Sequence, residues 1–373
     1  MPPISPSKTP MGVGIIGCGN IFPAYVKGCA LFNVLQLKAC ADILPEASRA
    51  RAQEFGIAGL SVDELLSDPG IDIVINLTIP NVHAATSLNA LQAGKHVYSE
   101  KPLAVDLEEG KAICDLAHRT GLRVGCAPDT FLGAGLQTSR KLIDDGWIGR
   151  PVAGTAFMMS HGPESWHPNP AFFYKRGAGP LFDMGPYYIT ALVHLLGPVK
   201  TVSAMTARAR DERLATCKEH FGEMLPVKVA THNSGTLLFE NGAVVTLTVS
   251  FDVPGHKHSP IEIYGASGSL SVPDPNTFDG PVELLRAGEK EWVQMPLAFG
   301  YRENSRGIGV ADMTHGILSG RAHRCDVTLA MHVLEVMSAF EKSHAARSWI
   351  DIENRCAQPA LFPLDMVSGS LDG

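Results

Sequence analysis

The first third of the chain alternates short apolar runs with amphipathic stretches. Residues 13–16, 37–41, 72–77, 96–99 and 123–126 are apolar or β-prone runs of four to six residues, the length of strands. Helical patterns over 20–30, 45–55, 61–67, 81–93 and 106–120 separate them. Such alternation predicts βαβ units on a parallel sheet. A linking helix over 132–145 stops at Gly146, and the texture then changes. Strand patterns cover 151–159, 201–207, 234–240, 243–253, 261–264 and 268–272, with Asn241-Gly242 as a hairpin turn. Helices become fewer, with clear patterns over 186–196 and 327–342. The expected class is α/β followed by α+β, the second part built on a largely antiparallel sheet. The expected division is 11–130 and 131–373. Residues 1–10, rich in proline and serine, are expected to form a flexible tail or an oligomer-wrapping arm. The chain from Cys356 onward should run irregularly along the surface.

The turn after the first strand carries chemistry. Residues 13–16 run into Gly17-Cys18-Gly19-Asn20-Ile21, and a helix pattern follows. A dinucleotide site needs this strand–turn–helix context. Gly17 permits the tight turn, Gly19 lets backbone approach a pyrophosphate, and the helix N-terminus offers free N–H groups. Phe22 stands where a third glycine is usual. The second strand ends at Asp42, 23 residues past Gly19. That is close to the spacing of a ribose-binding acid. A carboxylate there accepts from a 2′-hydroxyl and repels a 2′-phosphate, so NAD is favoured over NADP. A helix-capping role for Asp42 fits the same position. Cys18 reads as small filler in the turn.

Composition narrows the class. The chain has 373 residues, 45% hydrophobic, with a net charge of −7. That length suits two domains with ample cores. No basic stripe points to nucleic acid, and no apolar run approaches the ~18 residues a membrane span needs. The eight cysteines contain no CxxC pair, so neither a metal site nor a disulfide framework is indicated. Reduced thiols in the cytoplasm are the simple expectation.

The segment Val97-Tyr98-Ser99-Glu100-Lys101-Pro102 reads as a strand ending in a lysine, with proline barring further ladder pairing. Ligands bind at that carboxyl edge of open α/β sheets. A lysine there can donate a proton or clamp negative charge.

Three segments resemble the glucose–fructose oxidoreductase / inositol dehydrogenase (Gfo/Idh/MocA) family. They are the glycine turn from Gly14 to Ile21, the stretch from Thr78-Ile79-Pro80-Asn81-Val82-His83 to Glu100-Lys101-Pro102, and Gly177-Ala178-Gly179-Pro180-Leu181-Phe182-Asp183-Met184-Gly185. The resemblance implies a Rossmann domain, then an open-faced sheet domain that supports substrate and oligomer contacts, with dimers or tetramers. It implies that Thr78, Pro80, Asn81 and His83 border the cofactor, that Glu100 lies near the ribose, and that Lys101 lies near nicotinamide and substrate. Asp183 would face the same pocket from a helix after the glycine-rich turn. The family's usual histidine is replaced by Tyr187 and a nearby aspartate by Thr190. Tyr187 is therefore a candidate acid/base, its phenol expected to be lowered by Lys101. His161 and His167 are alternatives, and His194 a weaker one. Trp166 offers an apolar face to a sugar ring, with core packing as its alternative. Asp129 and Thr130 are candidate contacts to nicotinamide or substrate. The implied reaction is hydride exchange between nicotinamide and a carbinol of a sugar, sugar derivative or cyclic polyol. A same-fold enzyme with internal redox cycling of bound NAD, for glycoside cleavage or imine or enone reduction, and a cofactor-binding regulator without catalysis are the alternatives.

Overall fold

A computed structural model describes residues 10–364, 366 and 369–371. The expected tail lies almost wholly outside the described residues.

The first sheet contains β1 (Met11–Ile16), β2 (Leu35–Ala41), β3 (Ala58–Leu60), β4 (Ile73–Asn76), β5 (His96–Ser99) and β6 (Val124–Cys126). Helices α1 (Phe22–Cys29), α2 (Pro45–Phe55), α3 (Val62–Ser67), α4 (Pro80–Gln92) and α5 (Leu107–Thr120) connect them. The strand order is β3-β2-β1-β4-β5-β6, and every pairing is parallel. This is the doubly wound dinucleotide order, whose order reverses between β1 and β4. All six residues of β1 and all four of β4 are buried, as strands covered on both faces must be.

Helix α6 (Ala134–Asp144) leads to the second sheet. Its main strands are β7 (Pro151–Met159), β8 (Val199–Ala207), β11 (His232–Phe239), β12 (Val244–Ser250), β13 (Ile261–Gly265), β14 (Gly268–Val272) and β15 (Val282–Arg286). Short β16 (Val293–Met295) and β17 (Ile350–Asp351) form its edges. Only β7 with β12 is parallel; the sheet is otherwise antiparallel. β9 (Glu212–Leu214) and β10 (Met224–Pro226) form a separate two-stranded ribbon. At the hairpin turn, Gly242 has φ +88°, and the Asn241 side chain accepts the Ala243 N–H at 2.9 Å.

Helix α7 (Gly179–Leu196) differs from expectation. It begins before Pro186, which lies inside the helix. A proline forfeits one helical hydrogen bond, but burial of this apolar helix outweighs the local cost. Helix α8 (Ile308–Ser319) was not expected, because it is buried around much of its circumference and shows little amphipathic contrast. Together with α9 (Val327–Ala346), it returns the chain to the first sheet. The Cys126 N–H donates to the Cys325 carbonyl at 3.0 Å, and α9 packs on both α5 and β8.

Candidate active site

The glycine turn sits at the sheet's reversal point. Gly17 has φ +104°, and a Cβ there would lie 2.6 Å from the Leu77 carbonyl, so only glycine fits. A Cβ at Gly19 would meet open space. The Cys18 N–H donates to Asp42 Oδ2 at 2.7 Å, and Leu44 N–H donates to Asp42 Oδ1 at 2.9 Å. Asp42 thus ties the turn to the end of β2 while bordering a cleft of about 490 Å³. Ile43 and Val82 line the same cleft, and Ile43 is 89% exposed. An apolar slot with a carboxylate at its rim and a glycine turn at its floor suits adenosine and pyrophosphate. Asn20 is exposed on the turn, and Ile21 caps α1. Cys18 is buried as filler; the neighbouring Cys40 thiol and burial push its own thiol up. Arg51 donates to the carbonyls of Cys18 at 3.3 Å and Gly19 at 3.2 Å. This brace from α2 escaped the sequence reading because it acts through backbone atoms.

A second cavity, about 400 Å³, opens at the carboxyl ends of β4 and β5. Thr78 and Pro80 line it, with Glu100 and Lys101. The Thr78 N–H and hydroxyl both donate to Asn76 Oδ1, at 3.2 and 2.6 Å. Pro80 opens α4, where a missing N–H costs nothing. Asn81 is exposed in the first turn of α4. His83 is buried, its ring nitrogens 2.8 Å from the Pro102 carbonyl and 2.9 Å from the Thr78 carbonyl. Burial holds its pKa below the ordinary histidine value. A neutral ring has one N–H, so it donates to one of these two carbonyls, on the Thr78 loop or at Pro102.

Lys101 meets the other domain here. Its Nζ donates to Asp183 Oδ1 and to the Asp183 carbonyl, both at 2.7 Å. The ammonium also lies 5.2 Å from the Tyr187 ring centroid. Burial disfavours the charge, but Asp183, Tyr187 and Glu100 outweigh it and raise the Lys101 pKa above its ordinary value. Glu100 accepts from the Tyr25 hydroxyl at 2.8 Å and from the Lys101 N–H at 3.0 Å. Tyr187 lines the cavity one helical turn beyond Asp183. Its phenol runs against expectation. Burial raises its pKa, and the lowering effect of Lys101 does not compensate. The Arg306 guanidinium also acts to lower the Tyr187 phenol, again less than burial raises it. No local pattern marks Arg306, which precedes α8 and reaches the site only through the tertiary fold.

The remaining candidates divide. His167 lines the cavity beside Asn169 and Phe172. Its Nδ1 accepts the Asn169 N–H at 3.0 Å, so the neutral ring carries its proton on Nε2. His161 is exposed and does not line this cavity; its carbonyl accepts from Arg213 at 2.5 Å. Trp166 lies outside the cavity wall, its ring centroid 5.4 Å from that of His167. His194 is buried against Phe131, and burial holds its pKa well below the ordinary value. Asp129 and Thr130 are buried and do not line the cavity. Asp129 Oδ2 instead accepts the N–H groups of Gly307 at 2.8 Å and Gly309 at 3.1 Å. These two N–H groups favour the carboxylate, against the burial that raises its pKa, and the contact fastens α8 to the first domain.

Residues 11–127 match the model of an oxidoreductase family with an NAD-binding Rossmann fold, and 136–271 match the GFO/IDH/MocA C-terminal domain. The chain belongs to the Gfo/Idh/MocA family. It is an NAD-binding oxidoreductase. D-xylose dehydrogenase of Paenarthrobacter nicotinovorans is 31% identical over 317 residues, 78% of this chain and 80% of the relative. Levoglucosan dehydrogenase of Pseudarthrobacter phenanthrenivorans is 26% identical, covering 92% of this chain and 98% of the relative. A solved levoglucosan dehydrogenase in complex with NADH and levoglucosan superposes with a TM-score of 0.79. It is 23% identical and covers 92% of this chain and 99% of that one, a likeness in fold. Among the described residues, no helix is long and apolar enough to cross a membrane.

Proposed function

We infer that this oxidoreductase is an NAD-dependent dehydrogenase acting on a secondary alcohol of a sugar, a sugar derivative or a cyclic polyol. The observation that carries the reading is the Lys101–Asp183 pair, joined at 2.7 Å from two domains beside the dinucleotide cleft. Relatives named for D-xylose, levoglucosan, D-glucoside and scyllo-inositol support this substrate class. Bound nicotinamide supplies the hydride acceptor. Lys101 spends two N–H groups on Asp183 and keeps the third for the reacting oxygen. Its ammonium steadies developing alkoxide charge. Asp183 accepts the hydroxyl proton at its carboxylate. Tyr187 and His167 hold the substrate as donors, because the phenol stays protonated and the imidazole proton sits on Nε2. Asp42 selects NAD by accepting from a ribose hydroxyl.

Assembly follows from the second sheet. Met205 on β8 and Trp349 beside β17 are 78% and 76% exposed, apolar residues that suit a homodimer or homotetramer contact. All eight cysteines are free, which suits a reducing cytoplasm.

The test is oxidation of xylose, glucosides, inositols and small polyols, followed by nicotinamide absorbance. Reduction by one class, abolished in Lys101→Ala, supports the reading. Absence of reduction across the panel, with NAD still bound, contradicts it.

A further inference from the structure

We propose that Trp166 forms an outer sugar subsite at the cavity mouth, so that the preferred substrate is a two-ring carbohydrate such as a disaccharide. This deepens the dehydrogenase reading and rests on it. Trp166 is 68% exposed, unusual for a side chain with so much apolar area to bury. Its neighbour His167 lines the inner cavity, and the two rings meet edge-on at 5.4 Å. The indole therefore stands immediately outside the chamber that holds Lys101 and Asp183.

The segment is pinned on both sides of the tryptophan. Before it, the Glu164 carbonyl accepts N–H groups of Thr216 at 3.0 Å and Cys217 at 2.7 Å. The Glu164 carboxylate is ion-paired with buried Arg213 and accepts the Tyr174 hydroxyl at 2.7 Å. Arg213 also binds Asp252 at 2.6 Å and the Phe251 carbonyl at 2.7 Å. After it, Phe173 and Tyr174 belong to a separate small core with Leu225, Val227 and Phe251. That core and its charged clasp hold the β9–β10 ribbon against the segment. An exposed indole on so fixed a base costs little ordering entropy on binding.

The chemistry suits a carbohydrate. One face of a pyranose presents C–H groups while its hydroxyls point outward. An indole covers the C–H face and leaves the hydroxyls in water. A first ring beside Lys101 would leave its linked neighbour at the Trp166 lip.

The experiment compares glucose, methyl glucoside, cellobiose and maltose as substrates of the full-length enzyme and of Trp166→Ala. The expected result is a fall of about tenfold in kcat/KM for the disaccharides, the size of one aromatic contact. It should arise in KM, with kcat and NAD affinity retained and one-ring substrates changed less than twofold. Trp166→Phe should recover most of the loss. An equal loss on one-ring and two-ring substrates overturns the subsite while leaving the dehydrogenase reading intact. So does a change of oligomeric size in Trp166→Ala, which would make the indole an interface residue. A wild-type enzyme that oxidises no carbohydrate overturns both.

Discussion

Lys101 is charged because its neighbours were chosen to keep it so. A buried ammonium is unstable alone, yet Asp183, Tyr187 and Glu100 all favour the charge. Lys101→Ala should lower kcat by about 10² to 10⁴-fold while NAD affinity changes little, measured by single-turnover kinetics and cofactor titration. Asp183→Asn keeps the shape but removes the acceptor for the hydroxyl proton. Its rate should fall similarly in single-turnover kinetics; a rate near that of the wild type would assign the base elsewhere. Asp42→Ala should narrow the ratio of kcat/KM for NAD over NADP, whereas an unaltered ratio would leave Asp42 only its role in tying the turn. Asp42 and Lys101 stand out in the sequence because each ends a strand in a short motif with a mechanical reason for its spacing, whereas Asp183 entered only through the family resemblance. Arg306 and Arg51 do not stand out, since neither lies in a pattern and both act on partners brought near by folding. Tyr187 lines the cavity, but its phenol is raised by burial and not lowered as expected. A sequence reveals a charged neighbour more readily than the burial that outweighs it.

At the scale of elements, the parallel sheet was the most legible part, because strand and helix periods alternate cleanly. The second sheet was read in outline, while its short edge strands β16 and β17 fell below any pattern. Helix α8 was invisible for the opposite reason, being apolar around much of its surface. Its N-terminus is fastened by Asp129, and burial raises that carboxyl to about 6 despite two N–H donors. The folded protein therefore binds this proton more tightly than the unfolded chain does. Stability from the protonated carboxyl is present below the unfolded value near 3.8 and declines as pH rises toward 6. The full loss is about 3 kcal/mol. Asp129→Asn should keep one acceptor for the two amides and flatten stability between pH 4 and 6, measured by urea unfolding. A slope matching the wild type would show that this carboxyl does not titrate there.

For the whole molecule, two independently built parts complete one another. The first domain contributes the cofactor cleft and Lys101, and the second contributes Asp183, Tyr187 and the His167 segment. On the proposed function neither carries the full set of groups, so activity would depend on their docking through α8 and α9. The outward sheet face is expected to set the assembly. Met205→Glu with Trp349→Glu should shift the protein toward monomer in light scattering, since two charges would enter an apolar contact. An assembly of unaltered mass would exclude that face. The central claim is that Lys101 and Asp183 together oxidise a carbohydrate hydroxyl using NAD. Single-turnover reduction of enzyme-associated NAD by the carbohydrate panel tests it most directly. The account predicts rapid appearance of nicotinamide absorbance with one sugar or polyol class, abolished in Lys101→Ala. Equal reduction by wild type and Lys101→Ala, or none by wild type with NAD bound, would contradict it.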